Sequence, residues 1–203
     1  MLPILLTAKS EHLKMSRFNL HVKGLHSIVL DENEGKLTRL YITSENHEMY
    51  LNVNENHHKA LGVHSHRYDL KLTGIVGTFT NINYKELVSS DNLEAGVKCS
   101  KWSYCSTLKN GQGAHDKTEA MLTIDSITSV RVGEILELKH HELHTVYVPK
   151  GKICAWLVEE GETKTTTTTL YQNGNTSGYP SSSFDDVDWI RDFVKDLLIK
   201  AEK

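Results

Sequence analysis

Hydrophobic and polar residues alternate with a period of two along most of the chain. Runs such as residues 36–43 (KLTRLYIT) and 120–132 (AMLTIDSITSVRV) are rich in β-branched and apolar residues at alternating positions. Because successive side chains of a strand point to opposite faces, this pattern indicates strands with one buried face. Strands are predicted in residues 18–30, 36–43, 47–53, 70–82, 97–108, 120–132, 134–140, 144–149 and 152–160. Short strands joined by turns that carry Gly, Asn or Asp, with no helical pattern between them, predict an all-β antiparallel sandwich or barrel.

Three further segments carry other patterns. The threonine tract of residues 164–172 (KTTTTTLYQ) favours an edge strand, with a low-complexity linker as the alternative. Residues 184–203 show helical periodicity, with Ser183 as the candidate cap, acidic residues near the start and lysines towards the end. Residues 4–16 are compatible with one short amphipathic helix. The apolar stripe of the C-terminal helix, which we expect to lie against the barrel or a partner subunit, contains Val187, Ile190, Val194, Leu197 and Leu198.

Length and composition indicate one globular domain. The chain has 203 residues, of which 38% are hydrophobic and 24% charged, and this is enough for one core. We divide it into a β-barrel domain with an N-terminal extension, residues 1–180, and a C-terminal helix, residues 181–203. Packing of that helix on a second copy would make a homodimer, which we count among the expected assemblies.

Charge and hydropathy exclude several classes of partner. The formal net charge is −3 without a basic block, so we expect no binding to nucleic acid or to anionic membranes. No apolar run approaches the ~20 residues that span a bilayer, and the opening MLPILL lacks the length and basic start of a signal peptide. The three cysteines are odd in number and form no C-x-x-C motif, which favours a reducing, cytoplasmic location.

Histidine is unusually frequent, with 12 residues, and this directs attention to metal or proton chemistry. His64 and His66 form an H-x-H pair in an apolar, extended segment. Side chains at i and i+2 of a strand share one face, with Cα atoms about 7 Å apart, so both imidazoles can reach one cation. The alternative is that both rings line a barrel wall and bond to each other or to the backbone.

A second histidine-rich segment, residues 138–151 (LKHHELHTVYVPKG), follows about seventy residues later. If His144 opens a strand and faces inward, it would complete a three-nitrogen site with His64 and His66. The same segment is not a zinc-protease motif, because Glu142 does not follow His140 directly and the flanking residues are strand-like rather than helical.

Residues 45–162 resemble the cupin family. The likeness is carried by GVHSHRYD from residue 62, by Gly77, and by HTVYVPKG from residue 144 followed by an apolar strand. It implies a cupin-type double-stranded β-helix, or jelly-roll, with a C-terminal α-helix. It also implies His64, His66 and His144 as ligands of one divalent metal, Fe(II) first, with Mn, Ni, Cu and Zn as alternatives.

The segment departs from the cupin pattern at the expected carboxylate. Cupins carry it four or five residues after the second histidine, where this chain has Leu70 and Lys71. Asp69 is the candidate fourth ligand, but in a regular strand it would face away from His66, so a bulge would have to turn it back. A three-histidine site without a carboxylate is the alternative, similar to cupins that resemble thiol dioxygenases.

Two tyrosines, Tyr68 and Tyr147, are candidate catalytic acids or hydrogen-bonding groups near the metal. We expect a metal-dependent dioxygenase of the non-haem iron type that acts on a small-molecule substrate. The alternatives are a metal-dependent isomerase or lyase, a cupin that binds a small ligand without turnover, and a structural protein that docks through its helix.

Overall fold

The computed structural model describes residues 2–20, 22–49, 62–88, 96–105, 114–172 and 181–201. Its helices are α1 (Leu2–Thr7), α2 (Ser10–Leu13) and α3 (Val187–Ala201). Its strands are β1 (Leu25–Asn33), β2 (Lys36–Thr43), β3 (Val63–His64), β4 (Tyr68–Val76), β5 (Phe79–Glu86), β6 (Val97–Cys105), β7 (Ala114–Val130), β8 (Ile135–Leu138), β9 (Leu143–Tyr147), β10 (Ala155–Thr163) and β11 (Thr167–Gln172).

The strands form two antiparallel sheets. One has five strands in the order β1-β2-β10-β4-β8, and the other six close on themselves in the order β11-β3-β9-β5-β7-β6. Most neighbouring strands in each sheet are not consecutive along the chain, as expected of a jelly-roll rather than of a simple meander. The predicted all-β antiparallel jelly-roll with a C-terminal helix is therefore confirmed.

Two apolar layers stabilise this arrangement by burying the faces that the alternation predicts. The outer face of the five-stranded sheet, including Ile28 and Leu40, packs against α1, α2 and α3. The inner face, including Leu72 and Trp156, packs against Phe79 and Val146 of the closed sheet. The apolar stripe of α3 lies on the sheet as predicted, and its buried members are Ile190, Val194, Leu197 and Leu198.

Several predicted boundaries are wrong for identifiable reasons. The run of residues 70–82 is divided at Gly77, whose φ of 68° makes the turn between β4 and β5. A side chain at this glycine would meet the Ile153 carbonyl oxygen at 2.9 Å. The threonine tract is not an edge strand, because β11 pairs with β6 on one side and with β3 on the other.

The other boundary corrections concern segment ends. The predicted strand of residues 18–30 begins only at Leu25, and residues 47–49 of the predicted strand 47–53 lie in no strand, while residues 50–53 lie outside the described residues. Residues 4–16 form parts of two short helices instead of one. The cap of α3 is Asp186, whose Oδ1 accepts a 3.0 Å hydrogen bond from the Trp189 N–H, rather than Ser183.

Among the described helices, none combines the length and the apolar character that a membrane crossing requires.

Candidate metal centre

Strand pairing brings the two histidine segments together. His64 of β3 lies directly opposite His144 of β9. β3 ends at His64, so His66 lies just beyond the strand, in the connection to β4. The His66 backbone N–H donates to the His140 carbonyl at 2.9 Å, which keeps His66 beside the start of β9. The predicted convergence of these residues, about eighty positions apart in sequence, is thus a consequence of sheet register.

The three imidazole rings form a compact triangle. Ring centroids are 4.7 Å apart for His64 and His66, 5.0 Å for His64 and His144, and 5.0 Å for His66 and His144. One candidate ligand nitrogen from each ring lies within 4.8 Å of the other two. The Nε2 atoms of His66 and His144 are 2.8 Å apart.

Neighbouring oxygens orient two of these rings. The Nδ1–H of His144 donates to Oδ1 of Asn81 at 2.6 Å, and the Nδ1–H of His64 donates to the Gly62 carbonyl at 2.8 Å. Asn81 is itself held by a 2.8 Å bond from its Nδ2 to Oδ1 of Asn83. Each acceptor places the ring proton on Nδ1, so Nε2 is the nitrogen of each ring that carries the lone pair a cation would need.

The environment favours the neutral form of His66 and of His144. Burial, followed by the nearby imidazoles His64 and His66, holds the pKa of His144 well below its ordinary value. Burial and His64 lower the pKa of His66 to about 3. An imidazole must be unprotonated to coordinate a metal, so these shifts favour the binding form.

These residues fit a divalent transition metal. Imidazole nitrogens bind such ions at 2.0–2.1 Å, so two ligands at right angles are separated by about 3.0 Å. The 2.8 Å separation of the His66 and His144 Nε2 atoms is close to that value. In the described part of the chain, the group that could hold an ion consists of the three histidines alone, and this would leave positions for a substrate.

Asp69 is not brought to this group. Its Oδ1 accepts hydrogen bonds from the backbone N–H of His140 at 2.8 Å and from the His140 ring at 3.3 Å. The backbone bond from His140 lowers the pKa of the Asp69 carboxyl. Asp69 thus anchors the turn between β8 and β9. The pairing of β4 with β10 is irregular beside Asp69, but this residue does not belong to the group of side chains that could hold an ion.

The two tyrosines differ in position. The Tyr68 ring stacks beside the His66 ring, with centroids 6.3 Å apart, and its hydroxyl donates to Oε1 of Glu160 at 2.7 Å. Burial and the neighbouring Glu160 raise the pKa of Tyr68. Tyr147 pairs with Thr80 and lies three positions after His144, on the opposite face of β9, so the structure does not bring it to the histidines.

Three residues that contribute to the site were not predicted. Asn81 and Asn83 are alternate residues of β5, and this N-x-N pattern on one face of the strand was the available signal. Glu160 ends an apolar run and pairs with Arg39, which is 121 residues away in sequence. No local pattern links the two members of that pair.

Other histidines have structural roles, which explains part of the high histidine content. His26 is buried between the rings of Phe18 and Phe193, at 5.4 and 4.9 Å. The His47 ring contacts the Pro149 carbonyl and accepts from the Met49 N–H.

The chain is similar to several solved structures at low sequence identity. No protein-family model matches the chain, and no curated protein matches it significantly. Among solved structures, hydroquinone 1,2-dioxygenase from Sphingomonas sp. TTNP3 is 11% identical at a TM-score of 0.37, over 68% of this chain and 65% of that one. The polyketide cyclase RemF from Streptomyces resistomycificus is 12% identical at 0.36, over 78% and 77%.

A third similar structure is the CENP-C cupin domain of Drosophila melanogaster, which is 11% identical at a TM-score of 0.25 and covers 66% of this chain and 75% of that one. The chain spans 65% of the length of the Sphingomonas hydroquinone 1,2-dioxygenase and 63% of the length of a second similar enzyme, hydroquinone 1,2-dioxygenase PnpCD. At such low TM-scores these likenesses carry none of the functional argument, which depends on the three histidines of this chain.

Proposed function

We propose that the protein is a metal-dependent enzyme, a dioxygenase of the non-haem iron type that acts on a small molecule. The supporting observation is the convergence of His64, His66 and His144, whose ligand nitrogens lie within 4.8 Å of one another. When bound there, a divalent ion, Fe(II) first, would supply Lewis acidity and positions for dioxygen and a chelating substrate.

The chain's own residues would prepare this centre. Asn81 and the Gly62 carbonyl hold two of the rings, so little reorganisation is needed on binding. His144 is only 3% exposed, and Val146, two residues further along the same face, belongs to the apolar cluster between the sheets. This wall would exclude water from one side of a bound substrate. Tyr68 is the polar group we place beside the substrate.

Metal content tests the proposal directly. Protein purified without a histidine tag should hold about one equivalent of a divalent metal. His64→Ala and His144→Ala should lose it, whereas His141→Ala should retain it, because His141 is exposed and outside the triangle. Thermal unfolding of each variant would show whether it is folded.

Oxygen uptake then tests the reaction. The metal-loaded protein should consume dioxygen with at least one member of a panel of thiols, catechols and oxo-acids. Stoichiometric metal without uptake would favour the isomerase, lyase or ligand-binding alternatives. Absence of metal in wild-type protein reconstituted with Fe(II), Mn(II) and Zn(II) would refute the proposal. A cytoplasmic location and a homodimeric state remain predictions.

A further inference from the structure

Close to His66, the inner face of the five-stranded sheet changes from apolar to charged. Along β10, Trp156 and Val158 are buried in the cluster between the sheets, and Glu160 is the next residue on that face. Arg39 lies on the adjacent strand β2, and Tyr68 begins β4 on the other side of β10. Three neighbouring strands therefore contribute one residue each to a single polar cluster.

Glu160 is the centre of this group, and both of its carboxylate oxygens accept hydrogen bonds. Its Oε1 accepts from the Tyr68 hydroxyl at 2.7 Å and from Arg39 Nε at 3.1 Å. Its Oε2 accepts from the Leu37 backbone N–H at 3.2 Å. The Arg39 Nη1 also donates to the Ser27 hydroxyl at 3.3 Å, so both ends of the guanidinium are held.

The ion pair is enclosed. The Glu160 side chain is 5% exposed and the Arg39 side chain 21%. Removing two charges from water costs about as much as their attraction returns, and apolar residues of similar volume often stabilise a fold equally well. Stability alone therefore gives little reason for a charged pair at this position, and its contact with Tyr68 indicates another role.

The contact determines what Tyr68 can offer a ligand. A phenol has one proton to donate, and Tyr68 donates it to Glu160. Its oxygen retains only acceptor capacity. Because the Tyr68 ring stacks beside the His66 ring at 6.3 Å, with 22° between the planes, the residue that carries this acceptor lies next to the histidine site.

We propose that Glu160 and Arg39 are positioning residues that keep Tyr68 as a hydrogen-bond acceptor, so that the site selects small molecules with a hydroxyl or amino donor next to the metal-binding atom. The inference deepens the proposed function and rests on the metal centre. A molecule with a methoxy or carboxylate group at that position would bring an oxygen lone pair against the lone pair of Tyr68, and would bind less well.

Ligand binding to the Co(II)-loaded protein tests this without requiring turnover. The visible absorption of Co(II) reports ligation, and catechol and its monomethyl ether, guaiacol, form a pair that differs in one donor proton. Both dissociation constants are measured anaerobically in wild type and Tyr68→Phe. Chelation contributes equally to the affinities of wild type and Tyr68→Phe. The change in the ratio of the catechol and guaiacol dissociation constants between the two proteins therefore measures the effect of the Tyr68 hydroxyl.

We expect the preference for catechol to fall about fivefold or more in Tyr68→Phe, the effect of one hydrogen bond. The double variant Arg39→Met/Glu160→Leu, which frees the phenol proton, should lose the preference as well. Its matched control is Lys71→Met/Glu159→Leu, since that ion pair joins neighbouring strands on the solvent side, with both side chains over 40% exposed. This control should keep the wild-type preference.

The outcomes separate the two proposals. If wild-type protein fails to bind Co(II), the metal centre itself is refuted and this inference with it. If Co(II) binds, but the preference in Tyr68→Phe stays within twofold of wild type, only the role of Tyr68 and its positioning pair is refuted. Because Tyr68→Phe preserves the ring, its result decides the matter even where the double variant does not fold.

Discussion

At the scale of single residues, the orientation of His144 depends on Asn81. The 2.6 Å bond from His144 Nδ1 to Asn81 Oδ1 is buried, and Asn81 is 1% exposed. A leucine at position 81 has a similar shape but cannot accept the proton. We therefore expect Asn81→Leu to weaken metal binding by about 10- to 100-fold, as measured by calorimetric titration with Zn(II) or Co(II). Lys85→Ala, an exposed change on the same strand, is the control, and unchanged affinity in Asn81→Leu would contradict a positioning role.

A second residue, His26, links stability to pH. Burial lowers the pKa of His26 to about 4 from its ordinary value of 6.5. The Asn19 N–H donates to its Nδ1, so the proton lies on Nε2, which has no hydrogen-bond partner within the described ranges. The unfolded chain therefore binds the extra proton first, between pH 6.5 and 4. Stability from the neutral ring is complete above pH 6.5 and is lost as the pH falls towards 4.

His26→Phe should remove this dependence while keeping the aromatic packing. The free energy of unfolding is measured with urea at pH 7 and pH 4.5. Its decrease between these two pH values should be smaller for the variant than for wild type, by ~2–3 kcal/mol. Other buried histidines are present in both proteins and cancel in the comparison. Equal pH dependence in the two proteins would show that His26 does not titrate in this window.

At the scale of elements, α3 packs against the five-stranded sheet through one of its faces. Ile190 is fully buried against the outer face of the five-stranded sheet, while Ile199 of the same helix is 45% exposed. Ile190→Ala should lower the free energy of unfolding by about 3 kcal/mol through lost burial and a residual cavity. Ile199→Ala, the same chemical change, should cost under about 1 kcal/mol. Similar losses at both sites would mean that a partner covers the outer face of α3.

The turn between β8 and β9 offers a related test of Asp69. Asp69→Asn keeps an oxygen that can accept from the His140 N–H, whereas Asp69→Ala removes it. We expect the alanine variant to lower the midpoint of thermal unfolding by a few degrees and the asparagine variant to stay close to wild type. Both should still bind one equivalent of metal. Loss of metal in both variants would instead support Asp69 as a ligand.

At the scale of the whole molecule, the candidate centre joins two distant parts of the chain. A metal held by the histidines of β3, of the β3–β4 connection and of β9 requires the native pairing of these strands. We therefore expect the metal to bind only the folded state. At 100 times its dissociation constant it should add about 2.7 kcal/mol and raise the thermal midpoint by a few degrees. Differential scanning calorimetry with and without Zn(II) measures this. The rise should be absent in His144→Ala, and a rise there would place the stabilising ion elsewhere.

The local alternation of side chains determined much of this architecture. It predicted β2 to the residue, five other strands to within about three positions, and the buried stripe of α3, because burial of one face imposes the same period wherever a strand or helix packs. The H-x-H spacing and the strand containing His144 likewise made a three-histidine group predictable, since the chemistry of a metal site limits the residues that can form it.

Tertiary structure decided the contacts that depend on which strands pair and in which register. The threonine tract gained two neighbours, Asp69 found its partner at His140, and Glu160 met Arg39 and Tyr68 across three strands. These contacts join residues more than sixty positions apart along the chain, and sequence periodicity contains no information on which strands become neighbours or in what register. The sequence by itself determined which faces are buried and which side chains can bind a metal, whereas sheet register decided which of them meet.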